Sequence, residues 1–277
     1  MARIVVGVDA SSEAQAALQW ARQVAAADDR IVAVRAFEMP WIASAQMAVP
    51  VIPEDAELTA REALDALLGE VADDRIDGIV REGKPGGVLV AESKGADLVV
   101  VGHRGDSRIA MMLGSTANYV LHHSEIPVVV VRGDRSDIEV PPRRVVVGVD
   151  DHGLGDAEGE AENASVRALR WAYALPGVVH VRVAHAWHIP PMAIGVYPAL
   201  AADFELMDEA AYGAIDRVLT AAGPAPDGVE IERASLRGTP GIAIVEESRQ
   251  ADLVVVGSRG VGALRGLLLG STSTEAA

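Results

Sequence analysis

Four blocks of this 277-residue sequence occur twice, in the same order. Arg3-Ile-Val-Val-Gly-Val-Asp9 returns as Arg144-Val-Val-Val-Gly-Val-Asp150. Ala17-Leu-Gln-Trp-Ala21 returns as Ala168-Leu-Arg-Trp-Ala172. Ala96-Asp-Leu-Val-Val-Val-Gly102 returns as Ala251-Asp-Leu-Val-Val-Val-Gly257, and Leu113-Gly-Ser-Thr116 as Leu269-Gly-Ser-Thr272. The spacing, about 140–155 residues, is that of a domain and not of a solenoid repeat. The chain therefore reads as two fused copies of one domain, 1–133 and 143–277, joined by a linker over 134–142 that is charged and contains prolines.

Each copy alternates two patterns. Continuous β-branched runs such as Ile4–Val8, Ile31–Phe37, Leu98–Val101 and Val128–Val131 read as buried parallel strands, with a further strand at Ile79–Glu82. Between them, Glu13–Ala27, Pro53–Val71, Gly86–Lys94 and Ser115–His123 have helical composition. Strand–helix alternation predicts an α/β fold, with a mainly parallel five-stranded sheet per copy and helices on both faces. Ligands of such sheets bind beyond the carboxyl ends of the strands, where the strand order reverses. The copies are unequal. The second carries an acidic, glycine-rich insertion at Asp151–Asn163, and it stops at Thr274-Glu-Ala-Ala277, before any counterpart of Val128–Val131. Its sheet is expected to lack that last strand within this sequence.

Bulk properties narrow the function. Half the residues are hydrophobic, enough for two cores, and the net charge is −16. Such a surface repels nucleic-acid phosphates and anionic lipid, so neither is expected as a partner. There is no cysteine, which removes disulfides and thiol chemistry. No apolar run approaches the roughly 18 residues of a membrane span, and the apolar run at the N-terminus is too short for a signal segment. The expected location is the cytoplasm.

The glycines carry the chemistry. The second copy reads Gly257-x2-Gly260-x9-Gly270-Ser271-Thr272. Glycines after a strand let backbone N–H groups approach an anion closely, and Gly270–Ser271 opening a helix offers unsatisfied N–H groups to phosphate. A glycine after a strand is also an ordinary turn residue, and a serine before a helix an ordinary N-cap. The length of the pattern and its recurrence at Gly102-x2-Gly105 and Gly114-Ser115-Thr116 favour a nucleotide-binding origin.

In combination, the Val-Gly-Val-Asp strand end, the Asp-Leu-Val-Val-Val-Gly strand and the glycine loop resemble the universal stress protein family, twice over and across nearly the whole chain. The resemblance implies a flavodoxin-like domain, of the adenine-nucleotide alpha hydrolase-like kind, that binds ATP, with Mg²⁺, and hydrolyses it little or not at all. It implies regulation of a stress or dormancy response through nucleotide-dependent oligomerisation or binding of a protein partner. It implies a homodimer, or pairing of the two copies within one chain, often through the last strand. Carried over by residue, Asp150 contacts adenosine, while Gly148, Ala186 and Val256 line the adenine pocket. Gly257, Gly260, Gly270, Ser271 and Thr272 hold ribose and phosphates. The matching positions in the first copy are Gly7, Asp9, Ala36, Val101, Gly102, Gly105, Gly114, Ser115 and Thr116. The first copy departs from the pattern, because only eight residues, Asp106–Leu113, separate Gly105 from Gly114.

Other candidates are weaker. Arg104, Arg108, Arg259 and Arg265 flank the loops, as phosphate partners or as ordinary ion pairs. His122 and His123 are adjacent and diverge on a helix, and His180, His185 and His188 lie along or after a strand, so no metal site is expected from protein side chains. Asp97 and Asp252 precede buried strands, where they are expected to cap the preceding turn. No Ser-His-Asp spacing and no Gly-x4-Gly-Lys-Ser/Thr loop occurs, so no catalytic residue is assigned. Two other functions fit the pattern less well. One is a nucleotide-free interaction module. The other is an adenylating enzyme that splits ATP to AMP and pyrophosphate.

Overall fold

The computed structural model describes residues 1–39, 53–103, 113–133, 140–152, 154, 163–188 and 204–258. Its contacts divide the chain into two units, Met1–Ile138 and Glu139–Ala277. The first unit runs β1 (Arg3–Gly7), α1 (Ser12–Val24), β2 (Arg30–Phe37), α2 (Pro53–Val71), β3 (Ile76–Glu82), α3 (Pro85–Glu92), β4 (Leu98–Gly102), α4 (Ser115–His123) and β5 (Val128–Val131). The strands form a five-stranded parallel sheet in the order β3-β2-β1-β4-β5. The second unit runs β6 (Arg144–Gly148), α5 (Ala164–Ala174), β7 (His180–Trp187), α6 (Phe204–Ala222), β8 (Glu230–Arg237), α7 (Pro240–Glu247) and β9 (Leu253–Val256). Its described strands form a four-stranded parallel sheet, β8-β7-β6-β9. Both are the doubly wound α/β class expected from the alternation. The order reverses between β1 and β4 in the first and between β6 and β9 in the second.

The β-branched runs are strands because both of their faces are covered. In the first sheet Val5, Val32, Val34, Val99 and Val101 pack with Leu89 of α3 and Ala117 and Val120 of α4. In the second, Val145, Val147, Val181, Val183 and Val255 pack with Val166 and Leu169 of α5 and Ile215 and Val218 of α6. On its other face Val146, Ala184 and Ala234 pack with Ile244 of α7.

Several boundaries differ from expectation by one or two residues, and two differ by three. β3 begins at Ile76, three residues early, because Ile76–Glu82 pairs with Ile31–Phe37 along its whole length. Asp77 and Gly78 interrupt its apolar pattern. Gly78 is nevertheless needed there, since a Cβ would lie 2.7 Å from Leu68 Cδ1 on α2. α1 stops at Val24, where the chain turns and the Asp29 carboxylate accepts the N–H of Ala26 at 2.9 Å.

Asp97 and Asp252 do not cap the preceding turn. The Asp97 carboxylate accepts the N–H of Arg3 at 2.8 Å, while its own N–H donates to the Arg3 carbonyl at 2.9 Å. Asp252 accepts the N–H groups of Arg143 and Arg144 at 2.9 and 2.8 Å and donates its N–H to the Arg144 carbonyl at 2.9 Å. Each aspartate thus joins the start of the glycine-bearing strand to the start of the central strand and fixes their register at the switch point.

Candidate functional site

The register brings the same residues to the carboxyl edge of each sheet. In the first unit Gly7 pairs with Val34, and the N–H of Val8 donates to the Val34 carbonyl at 3.0 Å. In the second, Gly148 pairs with Ala184 and with Val256, and the N–H of Val149 donates to the Ala184 carbonyl at 2.9 Å. Ala36 and Ala186 therefore stand two residues beyond the pairs in corresponding places. Gly102 ends β4 opposite Val131, and Gly257 follows β9 directly. The edge thus gathers Gly7, Asp9, Ala36, Val101 and Gly102 in the first unit. Gly148, Asp150, Ala186, Val256 and Gly257 gather in the second. Gly105, Gly260, Gly270, Ser271 and Thr272 lie outside the described residues, as do Arg104, Arg108, Arg259 and Arg265.

Four of these glycines have a packing reason. A Cβ on Gly102 would sit 2.8 Å from the carbonyl carbon of Glu13 and 2.9 Å from its oxygen. One on Gly257 would sit 2.8 Å from Ala164 Cβ. Glu13 and Ala164 lie in the first turns of α1 and α5, so each glycine admits a helix N-terminus against the strand end. A Cβ on Gly7 would meet Leu89 at 2.8 Å, and one on Gly148 would meet Ile244 at 3.1 Å.

The base of the glycine loop is described in the first unit. The N–H of His103 donates to the Val131 carbonyl at 2.8 Å, and the N–H of Gly114 donates to the His103 carbonyl at 2.9 Å, which closes the base of the loop. Gly114 is the N-cap of α4, and no side chain caps it. The N–H groups that open α4, at Ser115 and Thr116, precede its first internal bond and suit an anion. The parts present fit a nucleotide: a carboxylate at one end, small residues between, and an uncapped helix start at the other. Among the described residues no group of three His, Asp or Glu side chains is placed to hold a metal.

The strand-end carboxylates Asp9 and Asp150 differ. Asp9 Oδ1 accepts the N–H of Ser11 at 2.9 Å and also a short bond from the Ser11 hydroxyl. Ser11 in turn caps α1, accepting the N–H of Ala14 at 3.1 Å. In the second unit Asn163 caps α5, accepting from Ser165 and Val166 at 2.8 and 3.1 Å, and it donates to the His152 carbonyl at 2.9 Å. Asp150 is held by its backbone, its N–H donating to Ser165 Oγ at 2.9 Å. Among the described residues its carboxylate accepts the N–H of His152, at 3.2 Å.

Beside it, burial opposes ionisation of Asp151, but hydrogen bonds from Arg217 at 2.8 and 2.6 Å and the charge of that guanidinium outweigh burial and hold the carboxyl below its ordinary range. His185 lies close enough to add to that effect, and its Nδ1 is 2.9 Å from the Val149 carbonyl. Sequence reasoning did not single out Ser11, Ser165 or Arg217. Ser11 had a signal, as a serine followed by a helix with Glu13 in its first turn. Arg217 had none, because its partner is 66 residues away.

The histidines at the end of α4 bond within their own helix. Nδ1 of His122 is 2.7 Å from the Asn118 carbonyl, and Nδ1 of His123 is 2.8 Å from that of Tyr119. A cavity of about 470 Å³ lies away from this edge, lined by Tyr173, Leu219, Pro224 and Ile231 among others. Ile231 stands near the amino end of β8, so the cavity is not part of the site. Among the described residues no helix is long and apolar enough to cross a membrane.

Comparison with known proteins agrees with this architecture. The sequence model of the universal stress protein family matches residues 1–132 and again 142–277. A universal stress protein of Mycolicibacterium smegmatis is 31% identical over 99% of this chain and 92% of its own length. One from Mycobacterium tuberculosis is 31% identical over 68% of this chain and 60% of its own. Among solved structures, a universal stress protein from Archaeoglobus fulgidus superposes with a TM-score of 0.65 at 21% identity, covering 99% of this chain and 92% of that one. The fold is therefore shared along the full length. The two family matches, with the repeated edge they contain, make the chain a tandem member of the universal stress protein family.

Proposed function

We propose that this protein is an ATP-binding regulator of a stress or dormancy response. ATP, with Mg²⁺, binds at the carboxyl edge of each unit, and its occupancy biases oligomerisation or the docking of a protein partner. Hydrolysis is slow or absent, and the protein works in the cytoplasm. The domains are 1–133 and 143–277, with 134–142 as linker. The observation that carries the reading is the paired edge. Two units place a carboxylate, small residues and a glycine at equivalent register positions, and in the first unit the glycine loop returns to the uncapped start of α4. Adenosine is assigned to Asp9 and Asp150, the base to the Gly7–Ala36–Val101 and Gly148–Ala186–Val256 surfaces. The phosphates are assigned to Gly102, Gly105, Gly114, Ser115 and Thr116, and to Gly257, Gly260, Gly270, Ser271 and Thr272.

The test is sedimentation velocity of the full chain with and without millimolar ATP–Mg²⁺, together with thermal unfolding. The reading predicts a raised midpoint and a changed sedimentation coefficient. An unchanged midpoint rejects nucleotide binding, and a raised midpoint with unchanged sedimentation rejects coupling to self-association.

A second reading, a nucleotide-free interaction module, has one observation in its favour. Gly102 and Gly257 are explained by the close passage of α1 and α5 alone. It predicts no thermal response to any nucleotide.

A further inference from the structure

We infer that the open cavity near the amino edge of the second sheet is a binding site for a small neutral molecule, mainly hydrocarbon and carrying a hydrogen-bond acceptor. The inference is independent of the nucleotide reading. The cavity, about 470 Å³, lies within the roughly 300–1,000 Å³ of small-molecule sites. Its lining includes Tyr173 of α5, Leu219 and Thr220 of α6, Pro224 and Ala225 of the loop that follows, and Ile231 of β8. None of the residues that line it is charged. Tyr173, Leu219 and Ile231 also pack on the core, which holds that side of the cavity in place.

The fold by itself does not leave this space, because the first unit closes the same corner. Arg22 and Tyr173 each stand two residues after the repeated tryptophan. α2 and α6 end at Val71 and Ala222, and the next residue is left-handed in both, Ala72 at φ 44° and Gly223 at φ 89°. Asp73 and Pro224 therefore correspond. In the first unit Arg22 donates to Asp73 at 3.1 Å and to the Val71 carbonyl at 3.3 Å. Arg75 donates to Asp73 at 2.8 Å and to the Ala25 carbonyl at 2.9 Å. A slot between α1 and α2, lined by Leu18, Arg22 and Val71 among others, holds about 20 Å³. In the second unit Arg170 donates to the Ala221 and Ala222 carbonyls at 2.7 and 3.1 Å, and so caps α6 from about one turn earlier on α5. Position 173 is thereby released for an aromatic ring. A proline stands where the carboxylate was, and residues 223–229 replace the shorter 72–75.

The lining sets the chemistry of the ligand. An uncharged wall offers no partner to an ion, and the net charge of −16 repels anions. The Thr220 hydroxyl is committed to the Asp216 carbonyl at 2.7 Å, within its own helix. Burial pushes the Tyr173 phenol up, so it stays a neutral donor near pH 7. A protein partner would need about 800 Å² of contact on each side, yet Asp227 and Glu230, which continue from the lining loop, are exposed charges.

Titration of the full chain with prodan, a neutral naphthalene ketone whose emission reports the polarity of its surroundings, tests this. Saturable binding is expected. Ala225→Phe fills the cavity and should weaken that binding at least about tenfold. Tyr173→Arg/Pro224→Asp, which copies the pair of the first unit, is the second variant and should act in the same direction. Tyr173→Phe removes only the donor; it should weaken prodan about two- to tenfold and shift its bound emission to the blue. No saturable binding by the parent, or unchanged binding in both filling variants, would overturn the inference. Unchanged binding in Tyr173→Phe would overturn the assignment of an acceptor to the ligand. A sedimentation coefficient altered by Ala225→Phe, in a chain whose parent does not bind prodan, would assign the cavity to contact between copies and overturn the inference as well.

Discussion

Replacing Gly102 by alanine separates packing from binding at the edge of the first sheet. The new Cβ would lie 2.8 Å from the Glu13 carbonyl carbon and 2.9 Å from its oxygen and Cβ. Two of those atoms are backbone, so no rotamer change relieves the overlap and the first turn of α1 must move. Overpacking of this kind costs about 1–3 kcal/mol. For a unit of this size that lowers the unfolding midpoint by roughly 3–12 °C.

Gly69, exposed in α2, is the control, because nothing lies within 4 Å of its Cβ position. Gly69→Ala should stabilise by about 0.5–1 kcal/mol through helix propensity. Amide hydrogen exchange of α1 and β4 reads the first unit without assuming that the whole chain unfolds in one step. Opposite signs for the two variants are expected. If Gly102→Ala were as benign as Gly69→Ala, the close-approach explanation would fail, and a ligand would be the remaining reason for the glycine. In the second unit the main clash is with a side chain, so Gly257→Ala should be rescued by adding Ala164→Gly, and the double-mutant coupling energy should be favourable.

Three further outcomes are expected. Asp252→Ala strands the N–H groups of Arg143 and Arg144 and should cost about 1–3 kcal/mol in urea unfolding of the second unit. In the first unit, hydrogen bonding to Arg75, opposed by burial and reinforced by Arg22, holds the Asp73 carboxyl well below its usual range. Its stabilising contribution is therefore full above about pH 4, the ordinary carboxylate range, and falls as the pH drops below it. Asp73→Asn should flatten that part of an acid titration followed by circular dichroism. Limited proteolysis should cut within 134–142 and release two fragments that each remain folded; cleavage first inside a sheet would contradict the domain limits.

The strands were legible because burial on both faces leaves an unbroken β-branched run, as in Val128–Val131 and Leu98–Val101. β3 was legible only in part, since Asp77 and Gly78 break the run and the pairing with β2 that extends it is not local. The aspartates before the glycine strands were misjudged for the same reason. Asp97 bonds Arg3, 94 residues away, and nothing in its immediate neighbourhood signals that partner. At the site, the glycine spacing and the strand-end aspartates were readable from the repeat. That Ser11 bonds Asp9 and caps α1, while Asn163 caps α5, was unreadable, because the two caps stand at different distances from their strand-end aspartates.

The central claim is that phosphates sit at the start of α4 and at the matching sequence position in the second copy, Gly270–Ser271. A negative charge introduced there tests it without harming the fold. Glutamate at the first position of a helix favours the helix by about 0.3–1 kcal/mol. Beside a phosphate at about 5 Å it costs on the order of 3 kcal/mol at an effective dielectric constant near 20. Equilibrium dialysis of labelled ATP–Mg²⁺ against the parent protein and the Ser115→Glu/Ser271→Glu variant is the direct measurement. Saturable binding by the parent, reduced at least about tenfold in a variant of equal or greater thermal stability, is the expected result. No binding by the parent, or equal binding by both, would contradict the account.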